Sequence, residues 1–208
     1  SGQSNTFTVN GNGRQALDTP SNVYATFNSL WIQRANNVQP AFSNANLTST
    51  FNNAGTNEQG VSTLAVSSGK WYAEIKWDNA TANTATNTGI FPVDYFDGDP
   101  FPAAYLYLAD GTSRSKNSAS SYGNSYTTGD IIGVALNCDY NEVVFYKNGA
   151  SQGTRSQAFN TGGTGFISPY ILLYGTRNAT ARFAQAEWTQ TPSGITDANA
   201  IITKNLGS

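Results

Sequence analysis

The apolar residues of this chain fall in short alternating runs separated by clusters of Gly, Asn, Ser and Pro, and almost nowhere at helical spacing. The clearest run is Lys70-Trp71-Tyr72-Ala73-Glu74-Ile75-Lys76-Trp77. Side chains alternate across a strand, so Trp71, Ala73, Ile75 and Trp77 share one face and Tyr72, Glu74 and Lys76 the other. Strands are likewise expected at Thr6–Val9, Val23–Phe27, Leu47–Phe51, Ser62–Val66, Ala104–Leu108, Ile131–Asn137, Glu142–Lys147, Tyr170–Tyr174 and Ala179–Ala186. Asn148-Gly149 after Lys147 signals a hairpin, because a type I′ turn needs positive φ at both central residues. With a turn at Cys138–Asn141, residues 131–155 read as a three-stranded meander. Short strands with no interposed helix predict an all-β antiparallel sandwich.

Three stretches read as loops: Asp78–Thr88, Pro92–Pro102 and Gly111–Thr128. Loops of a sandwich gather at its ends, where binding usually sits. Thr189–Ser208 holds Pro192, Gly194 and a short apolar patch, Ile201-Ile202, and reads as a linker or a strand paired elsewhere. The expected organisation is an N-terminal strand or arm over 1–17, a sandwich over 18–188 and an exit segment or linker over 189–208.

Composition sharpens this picture mainly by exclusion. The 208 residues suit one domain. Charged residues are 12% of the chain, about half the usual share, and Asn, Thr, Ser and Gly fill the gap. Eleven Phe, eleven Tyr and four Trp with a net charge of −2 argue for a packed core instead of disorder. There is no His, which removes His-based triads, the His-Glu-x-x-His metalloprotease site and most catalytic zinc sites. Cys138 is the single cysteine, so no internal disulfide or thiolate cluster forms. The charge gives no basic footprint for nucleic acid, and no apolar run approaches a membrane span. The chain contains no Met, even at position 1. It is therefore expected to be processed, excised from a longer chain, or to carry added residues at its ends.

Three blocks occur in order: Ser68-Gly69-Lys70-Trp71-Tyr72-Ala73-Glu74-Ile75, then Gly129-Asp130-Ile131-Ile132-Gly133-Val134-Ala135-Leu136-Asn137, then Val144-Phe145-Tyr146-Lys147-Asn148-Gly149. Together with Ile167-Ser168-Pro169-Tyr170 they resemble the SPRY domain over roughly residues 60–188, with Asn137 where the family usually has Asp. A narrower likeness lies in the flanks. Asp18-Thr19-Pro20-Ser21-Asn22-Val23-Tyr24-Ala25-Thr26-Phe27-Asn28-Ser29-Leu30 resembles the lead-in to SPRY domains of tailed-phage structural proteins (tail-fibre or capsid-associated). Pro192-Ser193-Gly194 and Thr203-Lys204-Asn205-Leu206 are similar to the matching exit. Phe183-Ala184-Gln185-Ala186-Glu187-Trp188 departs from the last strand of those relatives. The resemblance implies a two-sheet, concanavalin-like sandwich placed on a virion, and it supplies no ligand.

The chemistry-bearing residues have plain structural readings beside the functional ones. A glycosidase needs two carboxylates across a sugar, but Glu74, Glu142 and Glu187 each stand alone on their strands. No enzyme activity is expected. Asp94, Asp97 and Asp99 form the densest acidic cluster; they could offer oxygens to Ca²⁺, but Asp-Gly-Asp-Pro is also strong turn chemistry, and the expectation is no metal and no cofactor. Tyr95, Phe96 and Phe101 beside Asp97 and Asp99, with Tyr122 and Tyr126 in the Ser/Asn-rich stretch, are the candidate ligand-binding residues. Aromatic faces stack on sugars while polar neighbours meet the hydroxyls; the same rings could equally plug the sandwich ends or face a neighbouring subunit. Trp71 and Trp77 read as core. The Asn-x-Thr sequons at Asn46, Asn79 and Asn178 are expected by chance in so Asn- and Thr-rich a chain, and Cys138 reads as a half-buried small residue.

The function expected from residues and resemblance together is that of a non-enzymatic structural module of a phage virion. It would attach to a host-surface glycan or protein, or decorate the particle. Its partners would be other virion proteins, with a homo-oligomer among the arrangements and neither nucleic acid nor inserted membrane. The alternatives are a carbohydrate-binding module of a secreted bacterial protein and a peptide-binding SPRY adaptor.

Overall fold

The computed structural model describes residues 22–31, 40–51, 57–93, 104–115, 118–156, 165–174, 176–195 and 202–204. In chain order the strands are β1 (Asn22–Tyr24), β2 (Ala41–Ser43), β3 (Thr48–Phe51), β4 (Asn57–Val61), β5 (Lys70–Asn79), β6 (Thr86–Pro92), β7 (Tyr105–Leu108) and β8 (Thr112–Ser115). They continue with β9 (Ser118–Ser121), β10 (Ile131–Asn137), β11 (Glu142–Lys147), β12 (Ala150–Ser156), β13 (Ile167–Tyr174), β14 (Arg177–Arg182) and β15 (Ile202–Lys204). The helical element among the described residues is a single 3₁₀ turn at Gln185–Glu187. One sheet runs β12-β11-β10-β5-β14-β3-β2, the other β4-β13-β6-β7-β8-β9, and β1 pairs with β15. The fold is the expected antiparallel sandwich.

The clearest run of the sequence forms β5, which sits at the centre of the seven-stranded sheet. In β5, Ile75 lies opposite Ile132 and Ala181, and Ala73 opposite Val134. Their face meets Ile90, Tyr107 and Ile171 of the six-stranded sheet in one buried core. Trp77 is fully buried there, its indole N–H donating to the Thr88 hydroxyl at 2.9 Å. Burying one such large side chain contributes about 1.5–3 kcal/mol or more. Trp71, expected in the core, is only half-buried at its edge and donates to the Ser68 carbonyl at 2.6 Å.

The opposite face of β5 is covered too. Tyr72 is buried edge-on against Trp188 at 4.9 Å between ring centroids. Glu74 is wholly buried; its carboxylate accepts from the backbone N–H groups of Thr189 at 3.0 Å and Gln190 at 2.8 Å, and from Arg182 at 3.3 Å. The segment after β14 is therefore a strap bound across the sheet by one saturated carboxylate. Gly133 belongs to the same packing, because a Cβ there would collide with the Tyr72 hydroxyl.

The motif residues tie the meander's turns together. Asn148 and Gly149 have φ of 49° and 80°, as a type I′ turn requires. The Asn148 side-chain oxygen accepts from the Ile131 N–H at 2.8 Å, and its amide donates to Asp130 at 2.7 Å. Burial pushes the Asp130 carboxyl up, but the Thr127 N–H, the Asn148 amide and Lys147 outweigh it and hold the group below its ordinary value.

Several boundaries differ from the sequence reading. The expected strand at Ser62–Val66 is not one; β4 lies just before it, and Ser62 and Val66 make isolated bridges to Phe27 and Ile167. The presumed loop Asp78–Thr88 contains the end of β5 and the start of β6, and Gly111–Thr128 contains the hairpin β8–β9. Runs of Thr, Ser and Asn form these strands because neighbours supply the ladder and the buried side chains hydrogen-bond. The C-terminal Ile202–Lys204 pairs with Asn22–Tyr24. The strand expected at Thr6–Val9 lies outside the described residues.

Candidate functional site

The candidate residues of the two aromatic loops have different fates. Asp94, Tyr95, Phe96, Asp97, Asp99 and Phe101 lie outside the described residues, as does everything between Val93 and Ala104. The described chain does fix where this loop departs. The Val93 N–H donates to the Phe166 carbonyl at 3.1 Å, and the adjoining Ile167 pairs with Val66 by two backbone bonds of 2.8 and 2.9 Å. The Cys138 N–H in turn donates to the Gly69 carbonyl at 2.9 Å, and the Gly69 N–H to the Asp139 carboxylate at 2.7 Å. Residues 66–69, 93, 138–141 and 166 therefore share one end of the sandwich.

That end exposes two large rings. Tyr140 is 71% accessible and Phe166 43%, on a domain whose other described rings are buried or half-buried. Neither was singled out from the sequence. Tyr140 sits in a Cys-Asp-Tyr-Asn turn, and an aromatic among turn residues is the signal that could have marked it. Cys138 is half-buried, and burial together with Asp139 pushes its thiol up to about 11. It is a thiol at neutral pH, not a nucleophilic thiolate.

Tyr126 corrects the loop reading outright. It is 1% exposed in the core, and its hydroxyl donates to the carbonyls of Tyr107 at 2.9 Å and Thr86 at 3.1 Å. A ligand at the surface cannot reach it. Tyr122 is half-buried, edge-on to Tyr107 at 5.2 Å. The β11–β12 ladder breaks register between Val144 and Tyr146. There the Tyr122 hydroxyl accepts from the Phe145 N–H at 3.2 Å and donates to the Gly153 carbonyl at 2.5 Å. It fills the gap left by the bulge and joins the two sheets at their edges. Arg155 covers the ring from outside, its guanidinium carbon 4.5 Å from the ring centroid. The ring is tied into the fold, because Phe145 and Gly153 depend on its hydroxyl.

Among the described residues no group of three Asp, Glu or Cys side chains is placed to hold a metal ion. Glu74 is saturated and closed to solvent. Glu142 accepts from the Ser156 hydroxyl at 3.1 Å on the exposed β11–β12 pair. No helix among the described residues is long and apolar enough to cross a membrane.

The family model of the SPRY domain matches residues 70–186. Among solved structures, the SPRY domain of human HERC1 is similar at 18% identity over 65% of this chain and 87% of that one, with a TM-score of 0.58. A second human SPRY domain is similar at 18% identity over 65% and 91%, with a TM-score of 0.50. At this identity the likeness is one of fold. No curated protein matches the chain.

Proposed function

Because the chain belongs to the SPRY domain family, whose members are typically protein-interaction modules, we propose that it is a non-catalytic recognition domain. Its binding surface is the sandwich end that carries Tyr140 and Phe166. The observation behind this reading is the exposure of both rings at one end of the sandwich, where Val93 also lies; the sequence continues from Val93 with Tyr95, Phe96 and Phe101. Large aromatic side chains supply contact area at low entropic cost and dominate the energetics of recognition.

The setting we propose is a virion, with a host-surface glycan or protein, or a neighbouring virion protein, as the partner. The support is the resemblance of Asp18–Leu30 and the exit segment to the flanks of phage SPRY domains, and a surface low in charge. Such a surface binds through hydrogen bonds and ring contacts, so its affinity should change little with salt.

The test is binding of the labelled domain to a glycan array and to candidate host cells, in low and high salt. Tyr140→Ala, Phe166→Ala and Tyr95→Ala are expected to weaken binding with melting curves near the parent's, since surface changes usually cost within about 0.5 kcal/mol. Binding that survives all three substitutions would refute the assignment of this end.

A further inference from the structure

The chain has three Asn-Gly pairs, at Asn10, Asn12 and Asn148. The first two lie outside the described residues; the third forms the β11–β12 turn, with φ of 49° at Asn148 and 80° at Gly149. Asparagine is a thermolabile residue, and it is most reactive before glycine, where no Cβ shields or stiffens the following backbone nitrogen. That nitrogen attacks Cγ of the asparagine side chain. A bond forms between Cγ and the glycine nitrogen, the bond from Cγ to Nδ2 breaks, and ammonia leaves with the proton that the glycine nitrogen gives up. Water then opens the cyclic imide at either carbonyl, leaving aspartate or isoaspartate in the chain.

Both polar atoms of the Asn148 side chain are held elsewhere. Its oxygen accepts from the Ile131 N–H at 2.8 Å, and its Nδ2 donates to the Asp130 carboxylate at 2.7 Å. The backbone N–H of Asn148 donates to the Ile131 carbonyl at 2.8 Å, so the two residues grip each other in both directions. Asp130 is itself fixed, accepting from the Thr127 N–H at 2.8 Å and lying 3.3 Å from the Lys147 ammonium. Ring closure expels the very nitrogen that Asp130 holds. It also pulls Cγ out of the position in which Ile131 and Asp130 keep it. The Asp130 bond is of the charge-assisted kind, the stronger class.

We propose that Asn148 is a deamidation site that the fold keeps latched: it reacts only when the β10–β11–β12 meander opens locally, and the product cannot rebuild the turn. Aspartate at 148 sets a second carboxylate where the amide donated to Asp130, so two like charges repel where a bond of 2.7 Å stood. Isoaspartate adds a methylene to the main chain. A two-residue turn fixes the register of its strands, and the pairing of Lys147 with Ala150 does not survive a longer one. The reaction therefore runs one way. Each local opening offers the site once more to attack, and the fraction of chains still carrying asparagine records how often the meander has opened.

Peptide mass mapping of the full chain, incubated folded and in guanidinium chloride, tests this. In denaturant the three Asn-Gly pairs should react at similar rates. In the folded chain Asn148 should react at least about tenfold more slowly than in denaturant, because only the open fraction is exposed to attack. Asp130→Ala removes the latch, and the folded-state rate at Asn148 should then rise at least about tenfold while the chain still melts cooperatively. If that variant fails to fold, the charge pair decides. Asn148→Asp, the product made directly, should lower the denaturation midpoint in the parent and lower it much less in an Asp130→Asn background. The proposal is overturned by a folded rate equal to or faster than the denatured one, by a folded Asp130→Ala chain that reacts no faster than the parent, or by an Asn148→Asp cost that is the same in both backgrounds.

Discussion

Glu58 is the described carboxyl that the fold treats worst, and replacing it should stabilise the domain. It lies in β4 opposite Leu173, two residues from Gly60, whose Cβ position faces Ile171 and Phe27 in the core. Alternation puts Glu58 on that inward face, where it is only 4% exposed. Burial raises its pKa from 4.5 to about 7. A folded-state pKa raised above the unfolded value means that the folded chain holds the proton more tightly. The stabilisation is full below about pH 4.5 and is lost as the pH climbs through 7. At about 1.4 kcal/mol per pH unit over that interval, the loss comes to about 3 kcal/mol by pH 8. Glu58→Gln keeps the shape and cannot ionise. Urea unfolding of parent and variant at intervals from pH 4.5 to 8 should show the parent losing about 3 kcal/mol relative to the variant. Asp130, whose depressed pKa acts in the opposite sense at low pH, is common to both chains and cancels in the difference. Stability curves that run parallel across the range would refute the reasoning.

Two further substitutions probe the contacts that the sequence did not display. Tyr122→Phe keeps the ring but strips the hydroxyl from the Phe145 N–H and the Gly153 carbonyl; chemical denaturation should register a loss of about 1–3 kcal/mol, and a change within about 0.5 kcal/mol would mean that water replaces the hydroxyl. Trp188→Ala removes the cover of Tyr72, and thermal unfolding should show a loss of about 3–5 kcal/mol together with faster hydrogen exchange at the Thr189 and Gln190 amides that donate to Glu74.

The alternation of Lys70–Trp77 reported a strand correctly, but alternation alone does not say whether the second face meets water. Tyr72 and Glu74 look like a solvent face by residue type. They are buried because a segment more than a hundred residues later folds back over them, and nothing local to β5 encodes that return. The same limit explains Thr86–Pro92 and Thr112–Ser121. Their Thr, Asn and Ser side chains resemble loop composition, and only neighbouring strands such as β7 and β13 make extended pairing the better outcome. Where the signal was strictly local, as at Asn148-Gly149, the reading needed no partner: positive φ at two successive positions is a demand that few residues meet.

The binding residues were harder to see for a related reason. Aromatics flanked by Ser and Asn look alike in sequence whether they face solvent or plug a sheet edge, and Tyr122 and Tyr126 are of the second kind. What separates them from Tyr140 is the partner of each hydroxyl. Tyr126 donates to the Tyr107 and Thr86 carbonyls and Tyr122 closes a bulge, so both are fixed by backbone groups on other strands. Tyr140 lies on a turn with most of its ring in water. A ring held by backbone on two sheets cannot be spared for a ligand without breaking the sandwich. A ring on a turn can, because the turn's own hydrogen bonds do not pass through it. The recognition surface therefore has to be sought where side chains are redundant for folding, and Tyr140 and Phe166, at the end formed by residues 66–69, 138–141 and 166, meet that condition.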